Sequence, residues 1–335
     1  MSQKDLADRT GLTEKHISQI INGKASITPA TAIKLERVVG VKAVFWMNLE
    51  RNYRITLARL EAESVQAQEQ EIAKAFSCYS ELVELGVVAK VAVKDYAKKA
   101  ENLMRYFRVD SLTFLPNVQT MAYSGVVFRN MAKDVNHESL AAWLRYGEIE
   151  AEKISVGTFS ASGVKSALKE AKKLTTQPVD FEKALQVLFA QHGVAIVYAP
   201  YFKNTKINGA TRWVGDKAVV QLNTKGTYGD IFWFTLFHEI GHLVLHGKKG
   251  KFLNFTSSSD RDEKQEQEAD AFALEQLIPT EAYEKLLRRP QITVAEAQGF
   301  CNVLDIDFGI LAGRLAYEGK LSWPAASKFR RKITI

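Results

Sequence analysis

The chain has 335 residues, a net charge of +7, a pI near 9.1 and 46% hydrophobic residues, enough for two or three domains with a sizeable core and too apolar for general disorder. The polar start MSQKDLADRTG carries no signal-type apolar stretch, and no apolar run is long enough to span a bilayer, so a cytoplasmic protein without a membrane contact is expected. Only Cys78 and Cys301 are present, which excludes a disulfide framework and a cysteine zinc knuckle and fits a reducing compartment.

Residues Gln3–Thr10 predict a short helix, Gly11 a turn, and Thr13 the N-cap of a second helix, EKHISQIING. Ile17, Ile20 and Ile21 fall at core-facing spacing on that helix. Its other face offers Lys15, His16, Gln19 and Asn22, with Thr13 and Lys24 at the ends, as side chains for base edges or phosphates. Pro29 opens a third helix, on which Ile33, Leu35 and Val38 are expected inside. Residues 1–60 hold ten basic and five acidic side chains, much of the chain's excess charge.

This segment resembles the XRE/Cro-type helix-turn-helix. The stretch ITPATAIKLERVVGVKAVFWMNLERNY (27–53) resembles the HigA antitoxin branch of that family. In that family a further helix precedes QKDLA; the expectation here is that the sequence starts after it or that another part of the chain takes its place. The resemblance implies operator DNA as a partner and leaves room for a homodimer. A small helical bundle that serves only dimerisation or docking is the competing reading.

From Ile55 to about Leu174 the pattern is helical: Glu61–Leu85 ended by Gly86, Val93–Phe107, His137–Ile154 and Gly163–Leu174. This stretch carries no recognisable chemistry and is expected to connect the two ends. Val179–His192 predicts a helix. Gly193–Tyr198, Gly209–Val214 and Lys217–Leu222 predict strands, with a Gly215-Asp216 turn and a later glycine at 226. Gly209–Val214 is the candidate edge strand for an extended peptide.

The stretch Phe232–His246 holds His238, Glu239 and His242 as H-E-x-x-H in a run that is apolar nearly all round, with Asp230 as the expected N-cap. Four residues apart on a helix, the two imidazoles share a face and can grip one Zn²⁺, with Glu239 placed as general base. In DEKQEQEADAFALEQL, Glu266 and Asp270 also share a face. The pair resembles the E-x-x-x-D of zincins, which implies Glu266 as third ligand and Asp270 as support behind a ligating histidine, with Glu268 as the alternative. His246 reads as a helix-end histidine.

H-E-x-G-H-L-x-L-H followed by E-x-E-A-D-x-F-A-x-x-x-L-I-P (266–279) resembles the ImmA/IrrE metallopeptidases. That resemblance implies a gluzincin-like fold, one zinc on His238, His242 and Glu266, water activation by Glu239, and cleavage of a partner such as a repressor or toxin. The competing expectation is a DNA-binding antitoxin or autorepressor whose metal domain senses or binds a partner with little proteolysis. The expected fold is α+β and mostly helical. It comprises a helix-turn-helix bundle at 1–58, a helical connector at 59–175, a peptidase core with a small antiparallel sheet at 176–285, and a helical segment at 286–335. The basic end Lys328–Lys332 reads as a solvated tail.

Overall fold

The computed structural model of the protein describes all residues except 117–135, 178–179, 206, 225–227, 249–258, 290 and 334–335. Val179 and Gly226, used above to mark elements, lie outside the described residues. The chain forms two compact units, Met1–Glu71 and Ile72–Ile335. The expected divisions near 175 and 285 fall inside the second unit.

The first unit is built from α1 (Gln3–Thr10), α2 (Glu14–Ile21), α3 (Pro29–Val39) and the greater part of α4 (Ala43–Ala75). Local chemistry fixes the helix starts. Ser2 and Asp5 make a capping box on α1, and Thr13 and Thr28 cap α2 and α3. Gly11, at φ 62°, ends α1 in the left-handed region. Ile27, Ala32 and Leu35 form the centre of a small core, packed by Leu6, Ile20, Trp46 and Met47. Two expected core positions are outside it: Ile21 is 60% exposed and Ile33 46%. Ile17 is buried and Ile20 half-buried, so the core takes only part of the stripe on α2. Likewise the inward positions of α3 are Thr31, Ala32 and Leu35, with Val38 half-buried.

The second unit adds α5 (Tyr79–Glu84), α6 (Tyr96–Phe107), α7 (His137–Glu152), α8 (Ala161–Leu174) and α9 (Phe181–Ala190) ahead of the sheet. The single helix expected over 61–85 is in fact the end of α4, a break at Phe76–Cys78, and α5. Phe76, Cys78 and Tyr79 at that break are buried in a core with Phe107, Leu112 and Trp143, so packing overrides helix continuity there. The sheet has order β1-β3-β2, with β1 (Val194–Ala199), β2 (Gly209–Val214) and β3 (Lys217–Asn223). β2 and β3 are an antiparallel hairpin, but β1 runs parallel to β3, so the sheet is mixed rather than wholly antiparallel. Its near-continuous apolar strands follow from burial on both faces. Val194, Ile196, Val220 and Leu222 enter the main core, and Ala195, Val197 and Val219 pack on Ala151 of α7.

After the sheet come α10 (Gly229–His246), α11 (Ser259–Leu277), α12 (Thr280–Leu287), α13 (Val294–Leu304), α14 (Phe308–Tyr317) and the short α15 (Trp323–Ala326). α10 lies in the main core through Phe232, Trp233, Leu236, Phe237, Ile240 and Leu243. Residues of α13 and α14 complete that core through Cys301, Ile310 and Leu311. Among the described residues no helix is long and apolar enough to cross a membrane.

Candidate metal centre

α10 is apolar on nearly every side because it is covered on nearly every side, and its histidines collect where α11 crosses it. Gly241 permits that close approach. A Cβ there would stand 3.0 Å from Phe272 and 3.4 Å from the Cα of Ala269. The small Ala269 and Ala273 on the facing side of α11 are fully buried.

This packing brings Glu266 of α11 over the two histidines of α10. Its carboxylate oxygens stand 3.3 Å from His238 Nε2 and 3.4 Å from His242 Nε2, and the two Nε2 atoms are 3.0 Å apart. For zinc bonds of about 2.0–2.1 Å, tetrahedral donors stand roughly 3.3–3.4 Å from one another. The three side chains thus present a nitrogen, nitrogen, oxygen donor set at nearly the spacing one tetrahedral ion requires, and they group as a possible metal-holding trio among the described residues. Asp270, one turn along α11, accepts from His238 Nδ1 at 2.8 Å. That bond fixes the ring and leaves Nε2 turned toward Glu266. Glu268 lies outside the trio: its nearest partners are His246 Nδ1 at 3.7 Å and Lys264 at 3.8 Å.

Burial disfavours a charged His238, but hydrogen bonds to Asp270 and Glu266 outweigh it and lift the imidazole to about 10. Burial likewise opposes charge on Glu266, while His238 and His242 hold it well below the usual carboxylate range. His246 is pushed down by burial and by neighbouring His242, and its Nε2 lies 3.3 Å from the Gln265 carbonyl at the end of α10.

Glu239 is buried beside this trio, on the side of β2. Thr211 Oγ1 donates to the Glu239 carbonyl at 3.0 Å, tying the strand to the helix. Gly209 lies above the side chain: a Cβ there would be 2.5 Å from Thr235 and 3.0 Å from Glu239 Cγ. The sequence offered no signal for Gly209 beyond its being a glycine at a strand start. Among the described strands β2 is an edge of the sheet, as expected of GATRWV. Its opposite face is locked from behind. Buried Arg212 bonds Gln221 Oε1 at 3.1 Å and the Leu144 carbonyl, and Glu148 bridges toward Arg145 at 2.6 Å.

Asp230 is not the N-cap of α10. The helix begins at Gly229 after Tyr228, and Asp230 is instead paired with Arg330 at 2.8 Å. The basic C-terminal end is therefore a solvated tail only in part: Lys328, Arg331 and Lys332 are exposed, while the Arg330 side chain is buried. It is drawn in because Asp230, at the start of a buried helix, needs a countercharge.

In the first unit, Lys15, Asn22 and Lys24 are exposed and His16 and Gln19 half-exposed on or just after α2. Two expected contact residues also serve α2 itself: Thr13 Oγ1 accepts from His16 N at 3.2 Å, and Asn22 Nδ2 donates to the Ser18 carbonyl at 2.8 Å.

Family comparison agrees with both motifs. Residues 1–46 match a helix-turn-helix family, and residues 189–303 match the peptidase family described as the IrrE N-terminal-like domain. Over those stretches the chain is similar to a helix-turn-helix domain and to an IrrE-like peptidase domain. The IrrE-like match runs from the end of α9 to α13 and contains the whole trio, Glu239 and Asp270, while α7, α8 and the C-terminal 32 residues lie outside it. No curated protein matches the chain.

Proposed function

We propose that this protein is a DNA-associated regulator whose second unit is a zinc-dependent endopeptidase acting on a partner regulatory protein such as a repressor or toxin. The observation that carries the reading is the convergence of His238, His242 and Glu266 at tetrahedral spacing, backed by Asp270, with Glu239 between them and an edge strand. His238, His242 and Glu266 would hold the ion, and bound zinc would supply Lewis-acid polarisation of a peptide carbonyl and an acidified water. β2 would hold the substrate extended by strand addition. Glu239 takes a proton from the attacking water as its oxygen bonds the carbonyl carbon. It passes that proton to the leaving nitrogen as the C–N bond breaks. Asp270 keeps the His238 ring from turning.

In the first unit, α2 would enter the major groove, with Lys15, His16, Gln19, Asn22 and Lys24 directed at bases and phosphates and Thr13 holding the helix start. That association should weaken steeply with salt.

The deciding experiment compares cells expressing the wild-type chain and Glu239→Gln, with new protein N-termini labelled and identified. The wild type should generate a defined set of new termini. The variant, zinc retained, should produce them roughly 10²–10⁴-fold more slowly. Equal cleavage by both would contradict the enzyme reading. Absence of cleavage by both, with DNA regulation intact, would favour a sensor or partner-binding role.

A further inference from the structure

The C-terminal segment beyond α15 runs back to the first turn of the metal helix. Tyr228 and Lys332 form a β-bridge, and Gly229 N donates to the Arg331 carbonyl at 2.8 Å. α10 has no side-chain N-cap, so this strap satisfies a donor that its own residues leave open. Arg330 Nε donates to Asp230 at 2.8 Å, with the two side chains only 8% and 10% exposed. The Arg330 guanidinium lies 4.1 Å from the Tyr228 ring and 5.0 Å from the Trp323 ring. Next to it, Arg331 pairs with Asp307 at 2.8 Å. Gly313 of α14 faces Asp230 with no space for a side chain, and Gly309 runs close under the Arg330 backbone. The strap is thus built in, with glycines making room for it.

We propose that Arg330 is a positioning residue for the metal centre, acting through Asp230 to set the rotation and axial placement of α10. The inference rests on the zinc reading above. Asp230 and His238 are two turns apart on one rigid helix, so a small rotation or slide at its start moves both imidazoles relative to Glu266 on α11. Metal sites tolerate displacements of only about 0.2 Å in ligand distance.

The test uses the full chain and two variants: Arg330→Lys, which keeps the charge but loses the planar stacking, and Arg330→Met with Asp230→Asn, which leaves no lone buried charge. Zinc affinity is read by chelator competition, site geometry by the visible absorption of the cobalt-substituted protein, and fold by the melting of metal-free protein. The double variant should bind zinc roughly ten-fold or more weakly and shift the cobalt band, with Arg330→Lys intermediate. Unchanged zinc affinity and cobalt band in either variant, whatever the melting temperature, would reduce the strap to a structural cap and overturn the proposal. If the double variant does not fold, Arg330→Lys alone decides. A wild-type chain that binds no zinc would overturn the zinc reading and this proposal together.

Discussion

α2 and α10 each carry a row of polar side chains at helical spacing, and they use it in opposite ways. On α2 the row faces outward from a core of a few residues, and among the described residues Asn22 and the backbone of His16 bond within their own helix and its cap. On α10 the histidines face another helix, and the polar residues meet groups distant in sequence: His238 is held by Asp270 and Glu266, His242 by Glu266, and Asp230 by Arg330, while the Glu239 side chain is enclosed under Gly209. A surface row can change without disturbing its scaffold. A row enclosed by partners cannot, so function and stability should separate in the first unit and be coupled in the second.

The sharpest way to break that contrast is stability. Leu236 is fully buried in the α10 core, and Leu236→Ala should cost about 2–5 kcal/mol in denaturant unfolding. Ile21→Ala, at a 60% exposed position on α2, should cost less than about 0.5 kcal/mol. Comparable losses at the two sites would erase the distinction. Next in size, Asp270→Asn should weaken zinc binding roughly 10- to 100-fold by chelator competition, since a neutral amide oxygen accepts from His238 Nδ1 more weakly than a carboxylate and makes the ring a poorer ligand. A change under two-fold would mean that the packing of α11 alone orients the histidine. On the surface row, Gln19→Ala should cost about 1–3 kcal/mol of sequence-specific DNA binding, and Lys15→Ala should weaken binding uniformly and flatten its salt slope. Neither should alter zinc content, and a change there would contradict the independence of the two functions.

How much could be read from the sequence follows the same division. The two histidines and the Glu266–Asp270 pair were legible because helical spacing is a local property, and each pair needed only to face one way. Choosing Glu266 over Glu268 used the same geometry, and the structure places Glu268 against His246 instead. The helix cap Thr13 was also local in origin. What was not legible depended on distant partners. Gly209 over Glu239, the locked back of β2 through Arg212, and the ion pair that turns a basic tail into a strap all join segments far apart in the chain. The exposure of Ile21 was missed for a related reason: helical spacing says which residues share a face, not how much of that face a small core covers. The parallel pairing of β1 depends on the path between β1 and β2, which alternation of side chains does not encode.

The proposed function depends on one metal ion held by His238, His242 and Glu266. Its most direct test is the zinc content of the purified full chain beside that of Glu266→Ala and Glu268→Ala. The wild type should hold about one zinc per chain, Glu266→Ala almost none, and Glu268→Ala the wild-type content. Zinc retained in full by Glu266→Ala, or absent from a folded wild type, would contradict it.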